Sequence, residues 1–365
     1  GERVSPEIKT PSTGLLLLGI SVPLGQTLLI DGRRTTLRQA RLGVNLAEAD
    51  RRSQVNKTLF DAAKAYWEWY LAYRSYQLIN EGLQLAEVRF SGTRQRALIG
   101  EAAAIDTTEA LITVQDRLVQ QQEAVVTLQN ARLYLSVFLW GANNQPVDLP
   151  ANVVPQSAAS EPVSDELVQN LLTQASQQHP DLLKLDAKTG QNQLEERFRR
   201  ALIQPQISLS ANLLSQTPNL TQGYNWSDYY SFGLANHKIG LDFVLPLFLR
   251  KERGKLQQVR VKGQQLTLER QQSVRDIQND VLAARNDIMT FGQQIQVQQQ
   301  AVANQRRLVQ AEQQRFGLGE SSLFLVNARE SKLIDLGVKL EELRTKYQKA
   351  VAKLWYAAGS NQATP

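Results

Sequence analysis

The chain has 365 residues, 42% of them hydrophobic but only 7% aromatic, and glutamine is abundant, a composition that suits long packed helices better than a thick globular core. The absence of cysteine excludes a disulfide framework, a thiolate nucleophile and a cysteine-ligated metal. A net charge of +6 does not mark a nucleic-acid binder, because Lys and Arg alternate with Asp and Glu on helical stretches such as 341–349, as on a solvated helix face.

No stretch reaches the roughly 18 to 20 apolar residues of a membrane helix. The longest candidate, 14–24, is interrupted by Gly19, Ser21 and Pro23. Any membrane crossing is therefore expected from β-strands. The opening residues show no basic-then-apolar leader, as in a mature exported protein that has lost one.

In chain order, Leu16, Leu18, Ile20 and Val22 alternate with Leu15, Leu17, Gly19 and Ser21, which predicts a strand that feeds a helix through Asp31 and Gly32. Its partner strand is expected upstream of Gly1 or in the region of Glu7 to Thr10. A helix of about 60 residues follows over 33–96, roughly 90 Å at about 1.5 Å per residue. Its apolar track is Val55, Ala62, Trp69, Tyr76, Leu83, Phe90 and Ala97, and a less regular return helix occupies about 107–140. The aromatic group Tyr66, Trp67, Trp69, Tyr70, Tyr73 and Tyr76 resembles a ligand cage, but Trp69, Tyr73 and Tyr76 share the packing track, so core packing is expected.

Residues 146–162 form a linker punctuated by Pro150 and Pro155. Asp165–Gln178 and Pro180–Ala201 predict two shorter helices, with Asp165 as N-cap and Pro180 in a first turn. Next, Ile207, Leu209, Ala211 and Leu213 alternate with Ser208, Ser210 and Asn212, and Ile239, Leu241, Phe243 and Leu245 alternate with Gly240, Asp242 and Val244. One apolar and one small or polar face is the pattern of a barrel strand with lipid outside and water within. The link between these strands carries Tyr224, Trp226, Tyr229 and Tyr230, as expected of an outer loop with interfacial aromatics. A second long helix then shows a strict seven-residue series, Val274, Val281, Ile288, Ile295, Val302, Val309 and Phe316, and its return carries Leu333, Leu340, Tyr347 and Leu354.

These parts are duplicated. An offset of 219 positions, the step from Arg96 to Arg315, aligns the halves without a gap over roughly a hundred positions. It pairs Gln39 with Gln258, Arg51 with Arg270, Val55 with Val274, Gly100 with Gly319, Glu101 with Glu320 and Leu135 with Leu354. The offset also carries one heptad series onto the other. The only histidines are His179 and His237, and neither sits near a carboxylate constellation, a Gly-rich phosphate loop or metal-ligand spacing. No catalytic, cofactor or metal site is expected.

The strand, long hairpin, linker helices and repeat resemble the TolC family of outer-membrane efflux proteins over nearly the whole chain. The helix-opening segments 29–40 (LIDGRRTTLRQA) and 246–254 (PLFLRKERG) and the turns 96–101 (RALIGE) and 315–320 (RFGLGE) carry the resemblance. It implies a mainly α fold with a small β part: a homotrimer whose protomers each give four strands to a transmembrane β-barrel and two helical hairpins to a periplasmic α-helical tunnel. The partners implied are outer-membrane lipid, a periplasmic adaptor protein and an inner-membrane pump of the RND, ABC or MFS type. The segments follow the duplication: a first repeat over 1–144, a linker with short helices over 145–205, a second repeat over 206–360, and a tail over 361–365.

The resemblance also implies where function sits. Gly100, Glu101, Gly319, Glu320 and Ser321 are expected at the hairpin tips, where an adaptor docks. The family often places acids about six and nine positions past the tip glycine, facing the pore at its constriction. Here those positions hold Asp106 and Glu109, against Leu325 and Ala328 in the second hairpin. Asp106 and Glu109 either line a cation-favouring aperture or stabilise the start of a helix. Two rivals remain, a periplasmic coiled-coil adaptor and a structural coiled coil. The cargo stays open among drugs, metals and proteins.

Overall fold

A computed structural model describes residues 3–5, 8–9, 15–26, 28–150, 152–156, 163–216, 237–245 and 247–360. Two short strands, β1 (Arg3–Ser5) and β2 (Ile8–Lys9), precede β3 (Leu15–Pro23), and then come the helices α1 (Gly32–Leu98), α2 (Ala104–Ser136), α3 (Asp165–Gln178) and α4 (Pro180–Ala201). Strands β4 (Gln206–Gln216) and β5 (His237–Val244) lead into helices α5 (Arg250–Gly317) and α6 (Leu323–Ala357). The aromatic-rich link over 217–236 lies outside the described residues. No described helix is long and apolar enough to cross a membrane.

The chain forms two compact units, one drawn from 1–48 and 183–272, the other from 49–182 and 273–365. Each therefore takes residues from both halves of the duplication.

The first unit carries the sheet, in the order β3-β4-β5, antiparallel throughout. The partner of β3 is thus β4 of the second half. The short β2 pairs with β1 in a separate sheet, and among the described residues the larger sheet has three strands, where the resemblance implied four. The register sets Ile20 opposite Ala211 opposite Ile239, and Ser21 opposite Ser210 opposite Gly240. Since directly opposed residues share a face, one face gathers Leu18, Ile20, Val22, Leu209, Ile239 and Leu241. The other gathers Gly19, Ser21, Ser210, Asn212 and Gly240 with the charged Lys238 and Asp242, and sets Leu17 opposite Leu214. The apolar face is exposed, Ile20 at 70% and Leu241 at 67%. That is unfavourable in water and favourable in lipid.

Below the sheet, Asp31 caps α1 by accepting from the Arg34 amide at 2.7 Å. Helix α4 ties into both long helices of this unit. Gln191 donates to the Gln39 carbonyl at 3.0 Å, Asn192 donates to the Val259 carbonyl at 3.1 Å, and Arg270 donates to Asp186 at 2.7 Å. Gln39 and Arg270 are both positions the duplication preserves.

In the second unit the predicted heptad series is the core: Val281, Ile288, Ile295 and Val309 are buried, as are Leu340, Tyr347 and Leu354 from the return helix. Val168, Leu171 and Ala175 of α3 close the same cluster. The N-cap of α3 is Ser164, whose hydroxyl accepts from the Leu167 amide at 3.2 Å. Asp165, expected as the cap, lies one position inside and pairs with Arg285 at 2.7 Å. Of the aromatic group, Trp69 is buried as its heptad place requires, but so is Tyr70, off that track. The Tyr70 hydroxyl donates to Glu341 of α6 at 2.9 Å. Burial, and then the Glu341 charge, push the Tyr70 pKa above its ordinary value.

Truncating a side chain with no solvent exposure leaves a cavity that straight helices close poorly. Leu354→Ala should therefore cost about 2–5 kcal/mol, read as a lowered denaturation midpoint in circular dichroism at 222 nm.

Candidate functional site

The hairpin tips concentrate the residues that the sequence singled out, and both lie in the second unit. At the first tip Gly100 has φ +78° and at the second Gly319 has φ +79°, a left-handed conformation that costs an L side chain roughly 1–2 kcal/mol. The Glu101 amide donates to the Arg96 carbonyl at 2.8 Å and the Gly100 amide to the Ala97 carbonyl at 3.2 Å. Glu320 does the same to Arg315 at 2.9 Å, and Gly319 to Phe316 at 3.1 Å. These 6→1 and 5→2 bonds define the Schellman ending of a helix. The Arg96 and Glu101 side chains meet at 4.0 Å, and Arg315 and Glu320 at 3.9 Å. The identities Arg96/Arg315, Gly100/Gly319 and Glu101/Glu320 are thus one device made twice.

The far sides of the tips differ. Helix α6 is capped by Ser322, whose hydroxyl accepts from the Leu325 amide at 3.4 Å, whereas the N-cap of α2 is Ala103, with no side-chain bond. Asp106 stands in the first turn of α2, where its charge favours the helix dipole. Asp106 and Glu109 are both half-buried. Among the described residues neither carboxylate has a hydrogen-bond or ion-pair partner in the protomer. Ser321 points inward, donating to Glu312 at 2.5 Å.

Directly behind the tips lies a buried polar network outside the apolar series of the sequence analysis. The second heptad track of α5 runs Ile277, Ala284, Phe291 and then Gln298, Gln305, Glu312. Gln298 donates to the Leu336 carbonyl at 2.9 Å and Gln305 to the Arg329 carbonyl at 2.8 Å. Across the bundle Arg89 of α1 donates to Asn327 at 2.8 Å and is ion-paired with Glu330, which also accepts from Gln313 at 2.8 Å. Asn327 in turn donates to Thr113 of α2 at 3.1 Å, and Arg117 donates to Ser331 at 2.9 Å. Burial lowers the pKa of the Arg117 guanidinium, opposed by the charges of Glu330 and Asp335. Gln298, Gln305 and Glu312 keep the seven-residue spacing of the track, so the sequence signal is a heptad series that turns from apolar to polar. Such a seam fixes register, since sliding by one turn breaks every bond in it.

Among the described residues no group of His, Cys, Asp or Glu could hold a metal ion. What the parts make together is a strand set with an exposed apolar face and helices built for lengthwise packing, the construction of an outer-membrane duct. Residues 171–360, more than half of the chain, match the outer membrane efflux protein family, and the chain belongs to that family. No functionally curated protein matches it by sequence. In fold it is similar to the CmeC outer membrane channel of Campylobacter jejuni (TM-score 0.68, 15% identity, over 96% of this chain and 79% of that one). It is also similar to VceC of Vibrio cholerae (0.70, 15%, 95% and 86%) and to the open state of the MtrE channel of Neisseria gonorrhoeae (0.70, 15%, 97% and 82%). The protein is an outer-membrane exit duct that extends into the periplasm.

Replacing Arg89 leaves the Glu330 carboxylate, 10% exposed, without its cation. Arg89→Ala should destabilise the protein by about 3–5 kcal/mol, checked by urea unfolding. Gly319→Ala should cost about 1 kcal/mol and raise hydrogen exchange at the tip alone.

Proposed function

We propose that three copies of this chain form a passive conduit that takes solute from an inner-membrane pump, with a periplasmic adaptor docking on the hairpin tips. The single observation that supports this best is the matched pair of tips. Two solvent-exposed Schellman turns with the same Arg–Glu pair present one chemical surface twice per protomer. In a threefold ring that surface recurs around the end of a tunnel. Gly100, Glu101, Gly319, Glu320 and Ser321 are the docking residues in this reading.

Asp106 and Glu109 line the aperture. Their support is position, a few residues past the tip on the hairpin that has no Ser cap, and carboxylates without partners in the protomer. Three such pairs around a narrow opening raise the local cation concentration and exclude anions. No residue is needed for chemistry, since the solute crosses unchanged.

Asp106→Asn combined with Glu109→Gln should lower the cation-to-anion permeability ratio several-fold in single-channel recordings. An unchanged ratio assigns both residues to the helix start instead. Charge reversal at Glu101 and Glu320 should reduce export in drug-susceptibility and adaptor cross-linking assays while outer-membrane insertion is unaffected; intact export removes the tips from docking.

A further inference from the structure

Strands β3 and β5 both hand over to a long helix at one edge of the sheet: Pro23 ends opposite Ser208 and Val244 opposite Gln206, at the start of β4. The helix openings beyond that edge are strongly basic. Segments 33–41 and 250–262 hold ten Lys and Arg against one acid, Glu252, so the rest of the chain is net negative although the whole carries +6. Between α1 and α4 in this region lies a cavity of about 350 Å³. Arg38, Arg41 and Arg197 line it, beside Leu42 and Leu194.

Like charges gathered around one cavity repel unless an anion lies among them. Among the described residues none of the three arginines has an ion-pair partner. The acids of α4 nearest Arg197 are engaged elsewhere, Glu195 with Arg199 at 2.7 Å and Glu196 with Arg200 at 2.9 Å. The duplication isolates the difference. Arg260, the counterpart of Arg41, meets Glu196 of α4 at 3.4 Å, whereas Arg41 shares its cavity with Arg197. Where one half has a carboxylate, the other has a further cation.

We propose that this cavity binds the phosphate headgroup of an anionic phospholipid, from the membrane leaflet on the helix side of the sheet. Guanidinium forks match pairs of phosphate oxygens, and the cavity has the size of a small-ligand site. Apolar surface favours a lipid over free phosphate. Between the end of β3 and Arg38, the side chains of Leu24, Leu28, Leu29 and Leu37 stay between 43 and 81% exposed, where acyl chains would cover them. Helical side chains lean toward the N-terminus, so Arg38 and Arg41 reach back toward the sheet. The inference needs the sheet to lie in the membrane and is independent of the pump, the adaptor and the ring.

Lipid retention by the full chain tests it. Purified in detergent and offered equal amounts of phosphatidylglycerol and phosphatidylcholine with the same acyl chains, the protein should retain the anionic lipid about tenfold better, counted by native mass spectrometry. Arg38→Gln with Arg41→Gln should bring the two lipids level, with helical circular dichroism unchanged. Arg197→Glu supplies the missing carboxylate, so it should raise the thermal midpoint of the lipid-free protein and abolish the preference. Equal retention by the unaltered protein, or a preference that survives in either folded variant, overturns the site. Millimolar inorganic phosphate should leave the bound lipid in place; displacement assigns the cavity to the free ion and overturns the lipid.

Discussion

Val281, Ala284 and Leu354 have no exposure at all, and they lie in the core cluster that α5 and α6 build at seven-residue spacing. The rest of the second unit is arranged about that contact. A helix of 68 residues cannot hold itself straight in water by propensity alone; it persists because an apolar track on one side is covered at every second turn. Once α6 is held against α5, its other faces are available to α1 and α2. Tyr70 reaches Glu341, Arg89 reaches Glu330 and Arg117 reaches Ser331 from those two helices. Helix α6 is accordingly the most buried of the long helices, with Glu341 and Thr345 drawn into the interior alongside its leucines.

The same contact changes character along its length. Away from the tip it is dispersion and hydrophobic burial, which are tolerant of small shifts. Near the tip Gln298, Gln305 and Glu312 replace apolar residues on one track and bind backbone carbonyls, a side-chain hydroxyl and a guanidinium. A buried polar group is costly without its partner, so that end of the bundle has one satisfied arrangement, and the Schellman turns at Gly100 and Gly319 are held at a fixed place above it. The two tip turns thus stand on the most register-specific segment of the bundle.

In the first unit exposure means something else. Ile20 and Leu241 are more open to the surroundings than Ile112 on α2, yet they belong to a sheet whose opposite face is mainly small and polar. Alternation with period two answers to a boundary between lipid and water, and repetition with period seven answers to another helix. Period, more than exposure, tells which environment covers each surface.

The long helices, their heptad track, the duplication and both tips were legible in the sequence, because a constraint repeated every seven residues over dozens of residues leaves a pattern that local chemistry cannot imitate. Capping was legible only in part: Ser164 and Asp165 are both good N-caps, and one residue of difference is decided by which hydroxyl or carboxylate meets the free amides. What the tertiary structure alone decided are the pairings between distant segments. Strand β3 joins β4 across the two halves, Tyr70 is buried through Glu341 271 positions away, and Arg89 finds Glu330 on another helix. A single ion pair or strand partner is one contact with no period. It exists only when the fold brings its two ends together.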